Sequence, residues 1–134
     1  MAGSRVASKF ATQFGSFLLG SVLGVNLNSL ANVDTPVFLG DTPTKFRVRA
    51  VAMTNGSINP TTARFTINTL PLGAGVAIVT AVTPALSSSA VVQDLAIAST
   101  NAITGTGTLF INLGTPQGAA ATVDIYIYGD ILIG

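Results

Sequence analysis

Thr122-Val123-Asp124-Ile125-Tyr126-Ile127-Tyr128-Gly129 is the stretch that decides the fold. Val123, Ile125 and Ile127 alternate with Asp124, Tyr126 and Tyr128. Successive side chains on a strand point to opposite faces, so this spacing puts branched aliphatics on one face and two tyrosines on the other. Gly129-Asp130 then breaks the pattern before residues 131–133. Tyr126 and Tyr128 could stack sugars or bases, but the chain has no Trp and no cation stands beside them. A subunit interface, where Tyr is enriched, is the better use for that face.

The same period of two recurs upstream. Phe46, Val48 and Ala50 alternate with Arg47 and Arg49. Residues 63–69 place Phe65 and Ile67 opposite Arg64 and Thr66, and residues 109–113 offer Leu109, Ile111 and Leu113. Residues 76–82 form a nearly continuous apolar run, which suits a central strand, and residues 91–98 read as a further strand. Asn55-Gly56, Gly73 to Gly75, Pro84 with Ser87-Ser88-Ser89, Gly105 with Gly107, and Pro116 to Gly118 punctuate these runs. Roughly seven or eight short strands with such turn signals predict an all-β body, an antiparallel β-sandwich of jelly-roll type. Phe46, Val48, Phe65, Ile67, Leu109, Ile111, Val123, Ile125 and Ile127 are its expected inward set.

The first 32 residues read differently. Phe10, Phe14, Phe17 and Leu18 fall at i, i+4, i+7 and i+8, a helical stripe, and from Val22 the chain alternates as a strand would. A division follows: residues 1–32 as an N-terminal arm of short helix plus extended segment, residues 33–134 as the body. Phe10, Phe14, Phe17, Leu18, Leu19, Val22 and Leu23 are the arm's expected partner-docking groups, because they are too apolar to leave in water. A basic start, an apolar stretch over 17–25 and the small residues Ser29 and Ala31 also fit a secretory signal peptide. The reading preferred here is a retained, ordered arm.

Composition bounds the chemistry. The chain has 134 residues, one domain's worth, with 8% charged residues against roughly 25% in an ordinary soluble domain. Hydrophobic residues make up 49% and mean hydropathy is +0.64. No run reaches the roughly 18 to 20 apolar residues that span a bilayer, so no membrane partner is expected. A net charge of +1 without a basic cluster argues against nucleic acid. An apolar chain of this kind covers its surface with other copies or other subunits, and a trimer is favoured. Cys and His are absent and the acids are Asp34, Asp41, Asp94, Asp124 and Asp130, with no Glu. Thiolate and imidazole metal sites and the usual general bases are therefore missing. No enzyme, cofactor or metal is expected. The acids follow no calcium-loop spacing, and Arg47, Arg49 and Arg64 are read as sharing an outer sheet face and pairing with Asp residues across strands or at a subunit contact, in preference to a phosphate site. Asn55-Gly56-Ser57 matches a glycosylation acceptor but already serves as a turn.

The run Gly107-Thr-Leu-Phe-Ile-Asn-Leu-Gly-Thr-Pro-Gln-Gly-Ala-Ala-Ala-Thr-Val-Asp-Ile-Tyr-Ile-Tyr-Gly129 resembles small virion proteins of tailed phages and prophages. In these a Q-G-A-A-A-T-x-D-[IV]-Y-[IV]-Y-G stretch closes the chain. Lys45-Phe-Arg-Val-Arg-Ala-Val, Pro60-Thr-Thr-Ala and Val76-Ala-Ile-Val are similar to them in order and texture. The resemblance spans about residues 36–130, with 117–129 its specific part. It implies a capsid decoration or cement protein with a β-sandwich body, bound to the major capsid protein or other subunits at the capsid surface. It brings no catalytic or ligand residues. Other readings are a tail-tube, fibre or head-spike subunit, or a secreted bacterial surface or pilus-like subunit.

Overall fold

The computed structural model describes residues 17–39, 45–84, 92–98, 103–104 and 107–132. The described chain is all-β: β1 (Phe17–Asn26), β2 (Val33–Phe38), β3 (Lys45–Thr54), β4 (Arg64–Asn68), β5 (Ala77–Val82), β6 (Gln93–Leu95), β7 (Ile103–Thr104), β8 (Thr108–Thr115) and β9 (Thr122–Leu132). Two antiparallel sheets result. One runs β1-β9-β3-β6, with β7 also on β3, and the other β2-β8-β4-β5. Below they are sheet A and sheet B.

The pairing is nested. β1 pairs β9, β2 pairs β8, β3 pairs β6 and β7, and β4 pairs β5. The chain thus behaves as one long hairpin closed at the β4–β5 turn. Rolling that hairpin brings β9 beside β3 and β8 beside β4, which completes both sheets. The inner faces of the two sheets form one core cluster. All nine residues of the expected inward set are buried, each at 2% exposure or less.

Several expectations need correction. The segment 17–32 is not an arm. β1 is a full strand on the edge of sheet A, and Leu19, Val25 and Leu27 are buried in the common core. The helical stripe fails where it can be checked, since Phe17 and Leu18 belong to β1, while Phe10 and Phe14 lie outside the described residues. β1 carries register shifts between Leu18 and Gly20 and between Val22 and Val25, the second at Gly24 with φ of 69°. The two bulges shift the phase of alternation within β1, so its core residues Leu19, Val25 and Leu27 do not keep one period of two throughout.

The run 76–82 is not central: β5 is the edge of sheet B, and its far side offers Ile78 O to Ala98 N at 2.8 Å. Asn55, at φ 56°, does turn the chain, but the turn carries it from β3 in sheet A to β4 in sheet B and forms no hairpin. Ala50 is exposed, because β3 has its own bulge between Val48 and Ala50. That bulge leaves Arg47 and Arg49 on one outer face, while Arg64 stands on the other sheet.

The stretch 117–124 proves to be a structural clamp. Gln117 Oε1 accepts the backbone N–H groups of Thr61, Thr62 and Ala63 at 3.1, 3.0 and 2.9 Å, and Nε2 donates to Thr61 Oγ1 at 3.2 Å. Gln117 N donates to Leu27 O, Leu27 N to Ala121 O, and Gly118 N to Asn28 Oδ1. Asp124 Oδ1 accepts from Gly24 N at 2.7 Å in the β1 bulge, and its Oδ2 accepts from Asn55 Nδ2 at 3.0 Å. One loop therefore ties together the β1–β2, β3–β4 and β8–β9 connections. Gln117→Leu strands three donors at a partly wet site and is expected to cost about 2 kcal/mol. Urea unfolding checks this, and a loss indistinguishable from zero would show that water takes over the three bonds.

Candidate docking surfaces

The outer face of sheet A carries the two tyrosines. β9 lies between β1 and β3, so Tyr128 stands opposite Leu18 and Ala50, and Tyr126 opposite Ser21 and Ala52. Both rings are half-buried, and their neighbours are small or short except for Leu18. The face is low beside a two-ring ridge. Its far end is charged: Arg47 Nη2 and Nε donate to Asp130 Oδ2 at 2.6 and 3.2 Å, and Arg49 Nη1 reaches the same oxygen at 3.3 Å. These groups are part-exposed, and exposed pairs contribute about 0 to 1 kcal/mol. Their arrangement is structural, with the anion supplied by the chain itself.

Of the docking residues expected near the N-terminus, Leu18 at 53% and Leu23 at 65% are exposed. Leu19 is buried in the core, and Val22 packs partly buried against it. Phe10 and Phe14 lie outside the described residues, as does the side chain of Phe17.

Sheet B has a roof over part of its outer face. Residues 69–76 link β4 to β5 and turn back onto the strands. Thr69 N bonds Val76 O, Val76 N bonds Thr69 Oγ1, and Ala74 N bonds Pro71 O. Asn68 Nδ2 donates to Gly73 O at 3.2 Å, and Leu72 N donates to Asp34 Oδ2 at 3.0 Å. Asp34 Oδ1 in turn accepts from Asn112 Nδ2 at 3.0 Å. Asn68 and Asn112 are consequently buried, although they sit on an outward face.

This roof holds Leu72 at φ 58°, a left-handed conformation that costs a side-chain-bearing residue about 1 to 2 kcal/mol. The strained leucine is 72% exposed. On the same face, β2 presents Pro36, which pairs with half-buried Phe110, and Phe38, which is 74% exposed. Leu72, Pro36, Phe110 and Phe38 thus form an apolar strip along the β2 edge. The sequence reading missed it. Pro36 was the available signal, because proline inside a strand marks an edge.

At the other end of sheet B a shallow pocket of about 300 Å³ is lined by Arg64, Phe65, Thr66, Ala81, Gly114 and Thr115. Thr66 Oγ1 is buried with no hydrogen-bond partner among the described residues. Among those residues no group of three acids is gathered as a metal would need. Compared with family models, with curated proteins and with solved structures, the chain finds no match.

Proposed function

We propose that this chain is a structural protein of a tailed-phage virion, a decoration or cement subunit that binds the major capsid protein at the capsid surface and assembles with its own copies, as a trimer. In this reading the two sheets are the halves of a jelly-roll sandwich. The nested pairing of β1 with β9, β2 with β8, β3 with β6 and β7, and β4 with β5 is the double Greek key of that fold. The jelly roll is a common architecture of viral capsid domains, and the same fold also serves lectins, so it supports the reading without carrying it.

The observation that carries it is the exposed strip of Leu72, Pro36 and Phe38 on a chain with 8% charge. Scattered surface leucines need no explanation, but aligned ones beside a strained loop mark a contact surface. Phe10 and Phe14, together with exposed Leu18 and Leu23, extend the candidate contacts, and the Tyr126–Tyr128 ridge suits a subunit interface.

The test uses particles of the phage whose genome encodes the chain. Mass spectrometry of purified heads should find it at a fixed ratio to the capsid protein. Changing Phe38 and Leu72 together to Ser should leave circular dichroism unchanged and weaken particle binding. Each side chain contributes at least about 1.5 kcal/mol when fully buried, so the pair is worth roughly a hundredfold in affinity. Heads that lack the protein, or full occupancy by the double variant, would overturn the proposal.

A further inference from the structure

Among the described residues the charges are few enough to follow one by one. Asp130 holds Arg47 and Arg49; Asp124 is bonded to Gly24 and Asn55; Asp34 is bonded to Leu72 and Asn112. Three charged side chains have no hydrogen bond or ion pair among the described residues: Lys45, Arg64 and Asp94. Arg64 and Asp94 are exposed, and they lie on different sheets. In β4, Arg64 and Thr66 alternate with buried Phe65 and Ile67, so Arg64 faces outward from sheet B. In β6, Asp94 precedes buried Leu95 and stands opposite Ala52, so it faces outward from sheet A. Opposite outer faces keep this cation and this anion from meeting within one copy. They can meet between copies.

We infer that the chain associates head to tail, with Asp94 and Val92 of one copy seated in the Arg64 pocket of the next. The inference rests on the self-assembly proposed above and names the contact that would produce it. The pocket combines one guanidinium, the unpartnered Thr66 hydroxyl and the Thr115 hydroxyl with the exposed Ala81 on β5, while the Phe65 side chain faces the core. A carboxylate with an aliphatic group close beside it matches that set. Asp94 supplies the first, and Val92, 62% exposed and two residues away, supplies the second. The guanidinium and the Thr66 hydroxyl would donate to the carboxylate, which satisfies the hydroxyl that a single copy leaves unpaired. Different patches on the two partners make the contact heterologous, and a heterologous contact closes into a ring when its rotation allows. A trimer is such a ring. Lys45 does not serve the same role, because it sits on β3 in the same sheet as Asp94.

Charge exchange tests this on the full chain. Sedimentation velocity over a concentration series should show Arg64→Asp and Asp94→Arg each weakening self-association by about tenfold or more, since each sets like charges against each other. The double exchange should restore association close to the original value, as a directly coupled pair requires. Thr66→Val should weaken association while raising the melting temperature of the dissociated chain, a combination that a merely structural threonine would not give. Lys45→Asp should change nothing. Oligomers indifferent to both single exchanges, or singles that the double fails to rescue, would overturn this contact and leave the virion reading standing. A chain that stays monomeric at every concentration would overturn both the contact and the self-assembly it rests on.

Discussion

A chain beginning at residue 33 should not fold, whereas one beginning at residue 17 should keep both sheets. β1 covers one side of β9, and removing it leaves β9, with Val123, Ile125 and Ile127, as an edge. Leu19, Val25 and Leu27 leave the core with it. At about 1.5 to 3 kcal/mol for each buried side chain, that loss is roughly 5 to 9 kcal/mol, against a total stability of about 5 to 15 kcal/mol for a domain. Leu27 O and Asn28 Oδ1 also vanish from the clamp around Gln117 and Gly118, and Gly24 N from Asp124. Circular dichroism and urea unfolding of the two truncations decide the matter. A cooperative transition from residues 33–134 alone would restore the idea of a separable arm. The truncation at residue 17 also isolates Phe10 and Phe14, since any loss of particle binding by a folded chain would fall to the first 16 residues.

The strands whose sequence alternates cleanly were legible, and the reason is mechanical. β9 and β8 are each paired on both sides, and β9 keeps Val123, Ile125 and Ile127 on a strict period against β3. Where the backbone bulges, the period no longer maps to a face. β3 changes phase between Val48 and Ala50, and β1 does so twice. Edge position was hidden as well. The run in β5 is apolar enough for a central strand, but it pairs with β4 alone and leaves Ala81 exposed.

The tyrosine face could be read from local spacing. The Phe38–Leu72 strip could not, since it joins residues 34 positions apart through the Asp34–Leu72 hydrogen bond. The sequence marks Gly73 to Gly75 as a break but says nothing of residues 69–76 folding over Asn68 and Asn112. The Gln117 clamp was equally invisible: a glutamine in a turn looks solvent-bound until the β3–β4 connection brings three N–H groups to it. Gln117, Gly118, Ala121 and Asp124 thus each meet a structural demand of the connections they bind.

Gly129→Ala should destabilise the protein by about 3 kcal/mol or more, while Gly114→Ala should stay within about 1 kcal/mol. Both glycines lie in strands, so the contrast isolates packing from backbone preference. Gly129 sits in β9 between Val48 and Phe17 and is buried. The nearby bulge in β3 swings the Arg47 carbonyl over it. A methyl group there would overlap Arg47 O and approach Arg47 C at 2.9 Å and Leu19 Cδ1 at 2.8 Å. Two of these atoms are backbone, so no rotamer change relieves the clash. β3 would have to move away, drawing Arg47 off Asp130 and opening the core at Leu19. At Gly114 the nearest atom to such a methyl is Arg64 O at 3.7 Å, an ordinary contact. Paired urea titrations give the difference directly. If the two variants unfold at the same midpoint, the β3 bulge yields cheaply, and the close packing of β9 against β3 is not what holds sheet A together.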